Sequence, residues 1–126
     1  MLSKIRIIVA DDHRLVRKAL TNIFNRAGDM KVIAEARDAE EVFRQIDSQN
    51  ADVLVLDLNM PGKNGLEILR QLQQAGSVLP VVVLTLFPNK KFKNEAMRLG
   101  ARDFLTKDCD PNDLIGAVRK AKNRAG

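Results

Sequence analysis

The sequence predicts a doubly wound α/β domain, and three observations carry that reading. Short apolar runs alternate with segments of helical spacing, the order strand then helix recurs five times, and the central runs are apolar on both faces. Parallel strands covered by helices on both sides have this pattern. At 126 residues, the chain has room for one such domain with a sizeable core.

Ile5-Arg6-Ile7-Ile8-Val9-Ala10 is the first strand, rich in β-branched residues. Leu15, Val16, Ala19, Leu20, Ile23, Phe24 and Ala27 then form one helical stripe. The second strand, Lys31-Val32-Ile33-Ala34-Glu35, is more polar and suits a position near an edge. Asp38 followed three residues on by Glu41 has the spacing of an N-cap with an acid behind it, and starts a helix carrying Ala39, Val42, Phe43 and Ile46. Val53-Leu54-Val55-Leu56 is a central strand. Asn64 with Glu67 repeats the capping spacing before the stripe Leu66, Leu69, Leu72 and Ala75. Val81-Val82-Val83-Leu84 is the third central strand, and the helix after Pro88-Asn89 carries Phe92, Ala96 and Leu99 and stops at Gly100. Asp103-Phe104-Leu105-Thr106 suits the other edge. Asp110-Pro111, a cap followed by proline at the first helical position, opens a last helix through Leu114, Ile115, Ala117, Val118 and Ala121.

Composition narrows the function classes. Hydrophobic residues are 45% and charged residues 29%, with neither a long apolar run nor a low-complexity tract, which argues against disorder or a membrane span. The first residues alternate charge with apolar side chains, without the apolar stretch of a secretory signal, so a cytoplasmic location is expected. Cys109 is the only cysteine, which excludes an intrachain disulfide and fits a reducing compartment; Cys109 and His13 alone cannot supply a zinc site. The net charge of +5 is uneven: residues 1–61 hold 9 Lys/Arg against 10 Asp/Glu, and residues 62–126 hold 12 against 6. The excess gathers in Lys90, Lys91, Lys93, Arg98 and Arg102, and in Arg119, Lys120, Lys122 and Arg124. A solvated helix face is the plainer reading of both groups; nucleic-acid contact is the sharper one, weakened by the lack of Trp and Tyr for stacking.

In a sheet of this kind, ligands bind in the crevice at the carboxyl ends of the strands. The first strand ends at Asp11-Asp12, the third at Asp57, the fourth at Thr85 and the fifth at Lys107. Carboxylates gathered there repel one another unless a cation or a lysine offsets them. Oxygen ligands favour a hard ion such as Mg²⁺, which accepts one or two carboxylates together with phosphate oxygens. Lys107 adds a positive charge and Thr85 a hydroxyl, a set suited to a phosphoryl group. Asp57 is the best nucleophile: it follows an apolar strand that fixes its backbone, and the turn Asn59-Met60-Pro61-Gly62 leaves it accessible. Alone it would read as a turn or capping aspartate.

Together these residues resemble the response-regulator receiver domain of two-component signalling, over essentially the whole chain. The resemblance rests on Asp11-Asp12, the segment Asp57-Leu58-Asn59-Met60-Pro61-Gly62-Lys63-Asn64-Gly65, Thr85 and Lys107, in order among the strand–helix units. It implies the flavodoxin-like strand order 2-1-3-4-5. It further implies that Asp57 accepts a phosphoryl group from a histidine kinase. Asp12, Asp57 and the backbone carbonyl of Asn59 would hold Mg²⁺, with Asp11 acting mainly through water. Thr85 and Lys107 would grip the phosphoryl oxygens. Phe104 matches a switch aromatic, against the plainer reading of a core phenylalanine. The face of the fourth helix, fifth strand and fifth helix would then serve for homodimerisation or partner binding.

Asp108 follows Lys107 where the family often has proline, and Phe104 lacks a hydroxyl, so a switch there depends on packing. Phe87, two residues past Thr85, is expected to slow hydrolysis of the acyl phosphate. The run Lys90-Lys91-Phe92-Lys93 makes the signalling face basic and points to an acidic partner or salt-sensitive self-association. His13 reads as a surface histidine. The chain looks like receivers joined to a LuxR-type helix-turn-helix domain, so DNA contact is expected only through such an output; residues 1–122 are taken as the receiver and 123–126 as the start of a linker. A single-domain regulator is the alternative. Two rival functions are a metal-dependent phosphatase, which needs a second acid where Asn59 stands, and a phosphate-independent module binding through its basic face.

Overall fold

The computed structural model describes residues 3–60, 64–86 and 88–124. The readings at Pro61, Gly62, Lys63 and Phe87 lie outside the described residues. Ten elements alternate: β1(Ile5–Ala10), α1(Arg14–Arg26), β2(Met30–Ala36), α2(Ala39–Ser48), β3(Val53–Leu56), α3(Gly65–Gln74), β4(Val81–Thr85), α4(Lys90–Arg98), β5(Asp103–Thr106) and α5(Pro111–Arg124). The strands form one parallel sheet in the order β2-β1-β3-β4-β5. The two more polar strands, β2 and β5, are its edges. The helix α5 extends two residues beyond the boundary expected between domain and linker.

Alternation along each strand sends side chains to two separate cores. Ile8, Leu54, Leu56 and Val83 pack with Val42 of α2, Ile68 and Leu69 of α3 and Ala96 of α4. Ile7, Val9, Val53, Val55, Val82 and Leu84 pack with Leu20 and Phe24 of α1 and with Leu114 and Val118 of α5. All of β3 and β4 is buried. At roughly 1.5–3 kcal/mol for each large apolar side chain removed from water, these two layers supply the main driving force for folding.

The helix starts use the caps the sequence contains. Asp38 accepts from the Glu41 amide at 2.8 Å, Asn64 from the Glu67 amide at 3.0 Å and Asn89 from the Lys91 amide at 2.8 Å. Glu41 does not return to the Asp38 amide as a reciprocal cap does; its Oε1 accepts from Arg37 N, one residue earlier. Gly100 follows α4 with φ +100°, the left-handed backbone that favours glycine. The strand β2 is one residue longer at each end than its polar stretch suggests, because Met30 and Ala36 are buried and pair with Ile5 and Ala10.

Candidate functional site

Backbone pairing carries the sheet one residue beyond its strands and so positions the polar residues there. Ala10 of β1 is paired with Leu56 of β3, and Asp57 N donates to the Ala10 carbonyl at 2.9 Å. Asp11 N donates to the Ala36 carbonyl at 3.0 Å, and Lys107 N to the Thr85 carbonyl at 2.7 Å. Asp11, Asp57, Thr85 and Lys107 therefore stand on the carboxyl edge of a rigid sheet, with both neighbours of the Asp11–Asp57 pair fixed by the ladder.

The structure brings the sequence-selected residues Asp11, Asp12, Asp57 and Lys107 into one group. Asp11 and Asp57 are 1% and 3% exposed. Lys107 Nζ lies 2.5 Å from Asp11 Oδ2 and 3.4 Å from Asp57 Oδ2. Burial raises the Asp57 carboxyl above its ordinary value; the Asp11 charge pushes the same way, and the Asn59 amide and Lys107 oppose it. Asn59 N donates to Asp57 Oδ1 at 3.1 Å. Thr85 is buried and lines a cavity of about 120 Å³ together with Leu58, Asn59 and the partly exposed Phe92.

The donor set fits a hard divalent cation. Among the described residues, Asp11 Oδ2, Asp12 Oδ1 and Asp57 Oδ2 are buried without a hydrogen bond, although the Lys107 ammonium stands close to the first and third and His13 Nδ1 close to the second. Ligand atoms of Asp11, Asp12, Asp57 and His13 all lie within 4.8 Å of one another. One lysine facing several carboxylates leaves negative charge uncompensated, which a cation offsets.

Phe104 stands apart from this group. It is buried within the α2–α4 core and borders a second cavity of about 470 Å³ shared with Lys90, Lys93 and Thr106. Lys90, Lys91 and Lys93 are exposed.

Three residues at the site carry contacts that sequence reasoning did not assign. His13 is 60% exposed, as a surface histidine should be, yet its Nδ1 is 3.2 Å from Asp11 Oδ1 and 3.1 Å from Asp12 Oδ1. Arg17 of α1 donates from a guanidinium nitrogen to the Asp11 carbonyl at 2.8 Å while its Nε reaches Glu35 of β2 at 3.0 Å. Gly65 begins α3 so close to the Asp57 loop that a Cβ there would lie 2.7 Å from Leu58 Cα and 3.0 Å from the Asp57 carbonyl oxygen.

Comparison with known proteins identifies the family. The chain is 32% identical over 117 residues to the transcriptional regulatory protein DegU of Brevibacillus brevis, covering 93% of this chain and 50% of that one. It is 34% identical to the nitrate/nitrite response regulator protein NarL of Escherichia coli K12, covering 91% and 53%. It thus spans about half the length of the curated relatives it matches. Among solved structures, a LuxR-family two-component response regulator from Aurantimonas sp. SI85-9A1 superposes with a TM-score of 0.91 at 31% identity, covering 97% of this chain and 87% of that one. The response regulator domain of Thermotoga maritima CheB gives 0.86 at 30%, covering 95% and 97%. The family profile of the response regulator receiver domain matches residues 7–119, and the chain belongs to that family.

Proposed function

We propose that this receiver domain takes a phosphoryl group onto Asp57 from the phosphohistidine of a histidine kinase and relays its phosphorylation state through the α4–β5–α5 face. The observation that carries the reading is a buried carboxylate, Asp57, facing Lys107 just past the end of β3, whose neighbour β1 leads into two more carboxylates, Asp11 and Asp12. An Asp57 carboxylate oxygen attacks phosphorus, the P–N bond breaks, and the departing imidazole takes a proton from solvent. Lys107 has its ammonium close enough to Asp57 to meet the developing charge on the phosphoryl oxygens. The Asn59 amide orients the attacking carboxylate by holding its other oxygen.

Asp12, Asp57 and the Asn59 carbonyl would hold Mg²⁺; Asp11, whose Oδ2 is engaged by Lys107, would act through water. When bound, the ion neutralises charge on the transferring oxygens. Thr85 borders the cavity where those oxygens would sit, and its movement toward them would free packing space for Phe104 to exchange between the core and the cavity beside α4. The basic α4 favours an acidic partner or a salt-sensitive homodimer. The name of the DegU relative, a transcriptional regulatory protein, supports a transcriptional role, which a DNA-binding output domain would exercise.

The test is intact mass after incubation with acetyl phosphate, with and without Mg²⁺, for the wild type and Asp57→Ala. The expected outcome is a Mg²⁺-dependent gain of one phosphoryl group that the variant loses. No gain under any condition, even with candidate kinases supplied, would favour the phosphate-independent module.

A further inference from the structure

We infer that His13 is a side-chain ligand of the cation site and tilts its preference from Mg²⁺ toward a borderline divalent transition ion. This rests on the acidic group being a cation site.

His13 occupies the N-cap of α1, where a short oxygen-bearing side chain would close an orphan amide, yet its own side chain makes no capping hydrogen bond. The ring turns back instead toward the carboxylates. Nδ1 stands 3.2 Å from Asp11 Oδ1 and 3.1 Å from Asp12 Oδ1, and the backbone N of the same residue donates to Asp11 Oδ1 at 2.8 Å, which fixes the loop. One atom each of Asp11, Asp12, His13 and Asp57 falls within a span of 4.8 Å, the size of a single coordination sphere.

Asp57 and Asp11, both almost fully buried, turn their Oδ2 atoms toward the single ammonium of Lys107, at 3.4 and 2.5 Å. Lys107, just after β5, faces Asp11 and Asp57, and Arg17 is occupied with the Asp11 carbonyl and Glu35; the nitrogen that faces Asp12 Oδ1 is His13 Nδ1, at 3.1 Å. As a ligand, His13 would present Nδ1, the ring nitrogen that already faces the carboxylates. A nitrogen donor adds little for Mg²⁺, which prefers oxygen, and more for Co²⁺ or Zn²⁺. The imidazole therefore acts on the choice of ion more than on the existence of the site.

The experiment titrates the wild type, His13→Gln and Asp57→Asn with CoCl₂ and separately with MgCl₂, by calorimetry and by the visible absorption of bound Co²⁺. Glutamine exchanges the nitrogen donor for an oxygen and removes no cap bond. In His13→Gln the ratio of Co²⁺ to Mg²⁺ affinity is expected to fall by about tenfold, with a changed Co²⁺ spectrum. In Asp57→Asn both ions should bind more weakly. An unchanged ratio and spectrum in His13→Gln, with both ions still binding, would overturn the role of His13 and leave the acidic site standing. Co²⁺ binding undiminished in Asp57→Asn would place that ion elsewhere and overturn the inference as well. Failure of the wild type to bind either ion would sink the cation site itself.

Discussion

The two ends of the same sheet treat acidic side chains in opposite ways. At the amino end, before β2 and β3, each acid has its own base: Asp29 meets Arg119 at 2.8 Å, and Asp52 meets Lys122 at 3.0 Å while accepting from Arg6 N. The bases come from the later part of α5, where the helix dipole also favours cations. At the carboxyl end, Asp11 and Asp57 share one buried lysine, Asp12 has only the exposed His13 nearby, and one oxygen of each lacks a hydrogen bond among the described residues. Net charge is uninformative about this difference; pairing and burial define it. The paired end is organised for stability, and the unpaired end holds electrostatic tension that a cation or a phosphoryl group can relieve.

The largest break in that comparison is removal of a lysine from each end. Lys107→Ala should slow phosphoryl uptake from acetyl phosphate by about a hundredfold, because a preorganised donor to the transferring oxygens is lost. Lys122→Ala, which removes the partner of Asp52, should leave the rate unchanged. Equal losses in timed mass measurements would mean that the lysines act through stability, and the distinction between the ends would fail.

Glycines at the two ends give the next contrast. Gly65→Ala should cost about 1–3 kcal/mol in urea unfolding, since its Cβ collides with the Leu58 backbone, and should also slow phosphorylation by shifting the Asp57 loop. Gly28, beyond α1, meets nothing within 4 Å but has φ +85°. Alanine there should cost about 1–2 kcal/mol through backbone conformation alone, with the phosphorylation rate preserved.

Asp57→Asn sharpens the idea of stored tension. Burial raises the carboxyl of Asp57 above its ordinary 3.8, so the folded state holds a proton that the unfolded state releases as pH rises through that window. Stability therefore falls as pH climbs from the unfolded value to the raised folded one, and the cost is fully present above it. With EDTA present, the asparagine variant should be more stable than wild type near pH 7, and the gain should shrink toward pH 4. A variant less stable than wild type at neutral pH would show that Lys107 more than offsets the burial.

The positions of these ends were legible in the sequence because periodicity and caps located each strand, and because polar residues follow four apolar runs. The pattern that identifies Asp57 as the end of β3 also makes Leu54 and Leu56 core. What escaped depends on contacts between elements. Arg17 enters the sequence as one more cation on α1; its bridge from the Asp11 carbonyl to Glu35 appears only once β2 lies beside that helix. His13 was visible as an exposed residue, but ring direction is a rotamer, and rotamers are not written in spacing. Gly65 stood within a recognised segment, where it could be read as a turn residue; the close approach of Leu58 is a tertiary fact. The longer β2 had a weak signal in Met30 and Ala36, apolar residues flanking a polar stretch.

The smallest effect belongs to the paired end and has the opposite sign. The Arg119 hydrogen bond holds the Asp29 carboxyl below its ordinary 3.8, with burial opposing it. A depressed folded value means that the pair's stabilisation is present above the unfolded value and disappears as pH falls through the folded one. Both side chains are about half exposed, at 46% and 48%, so water and salt screen most of the attraction. Asp29→Asn should therefore be slightly less stable than wild type near neutral pH at low ionic strength, and indistinguishable from it at about 1 M salt or at acid pH. Urea unfolding of both proteins at two salt concentrations checks this. A gain in stability for Asp29→Asn, like that expected for Asp57→Asn, would mean that the amino end is also under tension and that one-to-one pairing does not distinguish the ends.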